Sequence, residues 1–98
     1  MGRIRTAAKR DDNEHEIVST LRQCGATVQK LDEPVDLLVG YRGVNYLIEV
    51  KDGNKPPSKQ KLRPGQALFM GMWRGQVAKV TNSREALEVI GVLKRGEK

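Results

Sequence analysis

The chain is 98 residues long and carries 18 Lys and Arg against 12 Asp and Glu, a formal net charge of +6, with 38% hydrophobic residues. Its length allows one compact domain, no apolar run approaches the roughly 18 residues of a membrane-spanning helix, and the single cysteine, Cys24, excludes an internal disulfide. This composition predicts a cytoplasmic protein, free of membranes, whose partner is a polyanion.

The predicted domain lies between two basic ends. Residues 1–10 form a basic arm and residues 94–98 a basic tail, so residues 11–93 are expected to fold as one unit. Asp12 or Asn13 can cap a first helix whose apolar residues recur at helical spacing. We expect this helix to end near Cys24, because the glycine that follows allows a left-handed turn.

Three β-prone segments come next along the chain. Residues 26–31 form a short segment that Pro34 stops. Residues 35–39 are typical of a buried strand, residues 40–43 of a turn, and residues 44–51 of a second strand. The last two strands are predicted to form a β-hairpin.

The next stretch, residues 52–61, holds two prolines and three lysines and is predicted to be a loop, because proline cannot continue a strand. Pro64 suits the first turn of a second helix that runs to Trp73.

A fourth strand over residues 76–80 precedes a last helix. Asn82 followed by Glu85 is typical of a capping box, and an apolar stripe continues to Leu93. The predicted order is therefore α-β-β-β-α-β-α.

Two carboxylates within the hairpin require an explanation. Asp36 and Glu49 lie among Val, Leu and Ile, where an unpaired charge is costly to bury. Side chains alternate along a strand, so Glu49 and Lys51 project from one face and the hairpin brings Asp36 opposite. Two carboxylates and one lysine leave a net negative charge, which suits Mg²⁺. The alternative is a purely structural ion-pair network.

At these positions the sequence resembles a known family. Pro34-Val35-Asp36 and Glu49-Val50-Lys51 resemble the signature of the PD-(D/E)XK nucleases, and Glu14 and Gln66 are similar to its flanking elements. Within that superfamily the resemblance is closest to small stand-alone VRR-NUC domains, the virus-type replication and repair nucleases, and next to Holliday junction resolvases. The family usually has Pro directly before the Asp, whereas Val35 intervenes here.

The resemblance implies an α/β, restriction-endonuclease-like fold, with an α-β-β-β-α-β core, a C-terminal helix and a mixed central sheet flanked by helices. It implies a Mg²⁺- or Mn²⁺-dependent endonuclease that hydrolyses DNA phosphodiester bonds and needs no small-molecule cofactor. It also implies a homodimer that acts on branched DNA such as Holliday junctions, in the DNA repair of a bacterial or phage-infected cell. The alternative functions are a non-catalytic nucleic-acid-binding module with the same fold and a metal-free interaction protein.

The same resemblance gives roles to individual residues. Asp36 and Glu49 would ligate the metal together with the backbone carbonyl of Val50. Glu14 would bind the metal through water or hold a second ion, and Glu16 is the competing candidate. The alternative for Glu14 is a carboxylate that only stabilises the start of the helix.

Two further residues would act on the reacting groups. Lys51 would orient or help deprotonate the attacking water, and Gln66 would position Lys51 or the nucleophile. The alternatives are an exposed strand end for Lys51 and a plain helix-surface position for Gln66.

Two surfaces complete the prediction. Basic residues in and after the proline-containing loop are predicted to contact DNA phosphates; we call this surface the basic lip, and its members are Lys55, Lys59, Lys61 and Arg63. Arg74 and Lys79 could extend it. An ordinary solvated loop is the alternative. The second helix is apolar on nearly every side, so Phe69, Met70 and Trp73 are the candidate dimer interface, unless the helix is buried against the sheet.

Overall fold

The computed structural model describes residues 11–94. Its elements are α1 (Glu14–Gln23), β1 (Thr27–Lys30), β2 (Leu37–Tyr41), β3 (Val44–Val50), a 3₁₀ turn (Pro57–Lys59), α2 (Pro64–Met72), β4 (Val77–Val80) and α3 (Ser83–Val89). The predicted α/β class and element order are confirmed and are consistent with a PD-(D/E)XK-like order. The predicted arm and residues 95–98 of the predicted tail lie outside the described residues. None of the helices within residues 11–94 has the length and apolar character needed to cross a bilayer.

The four strands form one mixed sheet in the order β1-β2-β3-β4. The pairs β1–β2 and β2–β3 are antiparallel, and β4 runs parallel to β3. The hairpin turn is shorter than predicted, because Arg42 and Gly43 both adopt left-handed backbone angles, with φ of 52° and 80°. Such two-residue turns match the twist of the flanking strands, so pairing extends to Tyr41. The predicted start of β2 at Val35 is wrong, and the strand begins two residues later.

Helix α3 is capped as predicted but ends early. The side chain of Asn82 accepts a hydrogen bond from the backbone N–H of Glu85 at 2.8 Å. The helix ends at Val89 rather than Leu93, because Gly91 turns the chain with a left-handed φ of 86°. By contrast, α1 and α2 end within one residue of the predicted positions.

The core lies between one face of the sheet and helices α1 and α3. Its buried apolar side chains are Ile17, Val18, Leu21, Ala26, Leu37, Val39, Ile48, Val50, Val80, Ala86 and Ile90. Along β3, alternation places Ile48 and Val50 on this face and Glu49 on the opposite one. The sheet therefore has one face for packing and one for the carboxylates.

Helix α2 contributes almost nothing to this core. Gln66 is its only buried residue, and Leu68 and Met72 are each 66% exposed. The alternative prediction of a central helix buried against the sheet is therefore wrong.

The two faces of β2 predict that side-chain truncation on the buried face lowers stability more than truncation on the exposed face. Leu37 is fully buried, whereas its neighbour Leu38 is 37% exposed on the other face. We expect Leu37→Ala to lower the free energy of unfolding by about 2–5 kcal/mol and Leu38→Ala by about 1 kcal/mol or less. Urea denaturation of both variants measures this, and equal losses would contradict the assignment of faces.

Candidate active site

The hairpin register brings the two predicted carboxylates together. Leu37 pairs with Ile48, so the residue before Leu37 and the residue after Ile48, Asp36 and Glu49, lie opposite one another. Oδ2 of Asp36 accepts a hydrogen bond from the backbone N–H of Val50 at 2.8 Å. Asp36 thus lies at the start of β2, tied to the strand that carries Glu49.

Lys51 lies beside Glu49, as strand alternation predicts. Its Nζ is 3.3 Å from Oε2 of Glu49, and the two side chains are only 13% and 3% exposed. The other carboxylate oxygen, Oε1 of Glu49, is buried without a hydrogen-bond partner among the described residues. One oxygen of this carboxylate therefore faces a positive charge, and the other is buried without a partner among the described residues.

Gln66 joins helix α2 to this pair. It is the third residue of α2 and is 7% exposed. Its Oε1 accepts hydrogen bonds from Nζ of Lys51 at 3.3 Å and from the backbone N–H of Arg63 at 3.2 Å. The alternative of a plain helix-surface residue is wrong, because the amide both holds the start of α2 and orients Lys51.

The surroundings of Glu49 disfavour its ionised form. Burial raises the pKa of Glu49 above its ordinary value of 4.5, and the nearby carboxylate of Asp36 raises it further. Hydrogen bonding by Gln66 and the charge of Lys51 act in the opposite direction without cancelling the rise. Another positive charge at this point would therefore stabilise the carboxylate.

Glu14 and Glu16 differ in burial. Glu14 is 3% exposed at the first residue of α1, whereas Glu16 is exposed and lines a separate small cavity. Burial therefore favours Glu14 over Glu16 as the inward-facing carboxylate of this helix.

Asn13 has a role that the sequence does not indicate. Its side chain makes no cap bond, although it precedes α1. Instead its amide donates to the carbonyl oxygens of Lys51 at 3.1 Å and Thr81 at 2.9 Å. These contacts join residues 38 and 68 positions apart in the chain, so no local pattern could reveal them. They hold the start of α1 against the ends of β3 and β4.

The donor set limits the kind of metal that could bind. Within residues 11–94, no three His, Cys, Asp or Glu side chains are close enough to ligate one ion. Asp36 and Glu49 could therefore offer at most two carboxylates to one ion, and Glu14 does not complete a set of three with them. Mg²⁺ is commonly held by one or two carboxylates together with waters and substrate phosphates, so this oxygen-only set fits it.

The basic loop is held in place by its own hydrogen bonds. The side-chain amide of Gln60 donates to the carbonyl oxygens of Lys55 at 2.6 Å and Gly53 at 3.4 Å. Nζ of Lys55 pairs with Asp11 at 3.3 Å, so its charge is partly neutralised. The other predicted lip residues, Lys59, Lys61 and Arg63, are exposed.

Comparison of the chain with protein-family models, with curated proteins and with solved structures finds no match. The functional argument therefore depends on the geometry and chemistry of the site.

The raised pKa of Glu49 predicts a pH-dependent stability difference. Folding promotes protonation of this carboxyl, so its contribution to stability is greatest below pH 4.5 and is lost as pH rises through the folded pKa. In metal-free buffer with a chelator, we expect the wild type to lose stability relative to Glu49→Gln as pH rises from below 4.5 to neutrality. Urea unfolding at each pH measures the difference, and a difference that does not change with pH would contradict the shift.

Proposed function

We propose that the protein is a Mg²⁺- or Mn²⁺-dependent endonuclease that hydrolyses DNA phosphodiester bonds. The observation that carries this proposal is the buried Glu49, whose Oε1 lacks a partner while its Oε2 lies 3.3 Å from Lys51. A purely structural ion pair would not be expected to leave one carboxylate oxygen unsatisfied, because burying such an oxygen is costly. A ligand that supplies positive charge at that oxygen removes the cost.

Asp36 and Glu49 would hold the ion, with the backbone carbonyl of Val50 as a further ligand and Glu14 acting through water. A bound divalent ion lowers the pKa of a coordinated water and offsets charge on the phosphate. The two-carboxylate set leaves coordination positions for that water and for a phosphate oxygen.

Lys51 supplies a positioned positive charge for the reaction. Gln66 and Glu49 hold its ammonium with two acceptors, which restricts the rotamers of a long side chain. Held there, the ammonium can orient the attacking water and stabilise negative charge that develops on the phosphate. Gln66 is a positioning residue, because its amide contacts Lys51 and the start of α2.

The DNA would approach over the exposed basic loop. Lys59, Lys61 and Arg63 lie in or directly after the loop that follows Lys51, where they can contact backbone phosphates. Contacts to phosphates do not distinguish one base sequence from another, so the protein would select DNA by its shape. Branched DNA such as a four-way junction is the substrate that the resemblance suggests.

A second copy of the chain would cover the exposed face of α2. Leu68, Met72 and Trp73 are 66%, 66% and 48% exposed, and the Trp73 ring stacks on Phe69 with centroids 5.1 Å apart. Met70 is half-buried. The proposed homodimer interface therefore centres on Leu68, Met72 and Trp73, supported by Phe69 and Met70.

Cleavage of linear and four-way-junction DNA, with and without Mg²⁺, tests the proposed activity. We expect metal-dependent cutting by the wild type, and a fall in kcat of about 10²–10⁴-fold for Lys51→Ala, because the reacting water loses its positioned partner. Glu49→Ala should abolish metal-dependent cutting, whereas Glu88→Gln, a carboxylate change on α3, should retain it.

Binding without cutting in any divalent metal would favour the non-catalytic nucleic-acid-binding module. Cutting that survives both Glu49→Ala and Lys51→Ala would show that the site lies elsewhere.

Sedimentation analysis tests the proposed dimer. We expect the wild type to dimerise at micromolar concentration and Leu68→Glu to weaken dimerisation at least about tenfold, because a charge would be buried between the copies. Val44→Glu, at an exposed apolar position on the hairpin, is the matched control and should still dimerise. A monomeric wild type would contradict this part of the proposal.

A further inference from the structure

Lys79 lies directly beside Glu49 on the neighbouring strand. In the parallel pairing of β3 with β4, Glu49 is the partner of Lys79, and Val50 is the partner of the buried Val80. Paired residues project from the same face of a sheet, so Lys79 shares the face of Glu49 and Lys51. Paired strands are about 4.8 Å apart, so a second lysine lies on the strand next to the one that carries Glu49.

The charge of Lys79 is not neutralised by a carboxylate. Among residues 11–94, Lys51 pairs with Glu49 and Lys55 with Asp11, but no carboxylate oxygen lies within 4.0 Å of Nζ of Lys79. Instead, Nζ of Lys79 donates a hydrogen bond of 3.3 Å to the backbone carbonyl of Gln60. Lys79 is exposed and therefore able to exchange this neutral acceptor for a charged one.

The groove along the outer side of β4 has room for such an exchange. It has a volume of about 640 Å³, and Lys79, Gln60, Glu85 and Glu88 are among its lining residues. The two carboxylates are engaged elsewhere, because Glu85 accepts from the N–H and hydroxyl of Thr81 and Glu88 pairs with Arg84. Lys79 is thus the cation among these residues, and neither carboxylate pairs with it.

We propose that Lys79 binds a backbone phosphate of the nucleic acid, next to the phosphate that lies over Glu49. The inference rests on the proposed function and extends it to the β4 side of the site. The contact with Gln60 places the basic loop beside Lys79, so one phosphate track would run from the loop across Lys79 to the carboxylates. An ammonium bonded to a phosphate oxygen forms a stronger contact than one bonded to a neutral carbonyl.

The test compares the full-length wild type with Lys79→Gln, Lys79→Arg and Arg22→Gln. Arg22 lies on α1, on the opposite layer, so its substitution removes one positive charge away from the site. Binding to a DNA duplex is measured without divalent metal over a salt series, and kcat and KM are measured with Mg²⁺. Thermal melting shows that each variant is folded.

We expect Lys79→Gln to weaken binding by about tenfold and to lower the steepness of the log–log salt dependence by about 0.9, the value for one lost duplex phosphate contact. KM should rise while kcat is retained, because the contact is made in the ground state and the transition state alike. Lys79→Arg should restore binding, and Arg22→Gln should leave the salt dependence unchanged.

An unchanged salt dependence in Lys79→Gln, or an equal change in Arg22→Gln, would overturn the inference about Lys79. The proposed function would still hold in that case if the wild type binds and cleaves DNA. A wild type that does not bind DNA would overturn both.

Discussion

The buried carboxylate of Glu49 is the constraint around which the rest of the site is arranged. A buried acidic group needs partners, and the chain supplies Lys51 and Gln66. Lys51, directly after the same strand, pairs with Glu49 and is held by Gln66 from the start of α2, whereas Asp36 from the paired strand adds a second negative charge that raises the pKa of Glu49. Each contact joins an element to the site, so local electrostatics and the arrangement of the helices depend on one another.

The sheet separates the apolar core from the charged groups of the candidate site. One face packs against α1 and α3 and contains the apolar core, while the other carries the charged groups and remains largely free of helices. Strand alternation makes this separation possible, because neighbouring residues in β3 serve opposite faces. Substitutions of exposed residues on the charged face are therefore expected to cost the core little, whereas Glu49 and Gln66 are themselves buried.

The sequence predicts those features that depend on neighbours along the chain. The hairpin, the element order and the cap at Asn82 follow from alternation and turn residues, and the juxtaposition of Asp36 with Glu49 follows from the hairpin. Gly91 is a possible helix end in the sequence, but the apolar stripe that continues beyond it favours a longer helix than the one observed. The contacts of Asn13 join segments far apart in the sequence, and those of Gln60 depend on loop geometry, so the periodicity of the sequence cannot predict either set. The exposure of α2 likewise cannot be predicted from its own sequence, because it depends on how the helix is placed relative to the sheet.

The two-residue turn at Arg42 and Gly43 has a consequence for how the chain can vary in length. Adding one residue to either arm of the hairpin would slip the register by one and turn Asp36 away from Glu49, toward the packed face. Adding one residue to each arm would lengthen the hairpin and leave the carboxylates opposite one another. Insertions in matched pairs are therefore expected to change the distance from the tip to the carboxylates without loss of their alignment.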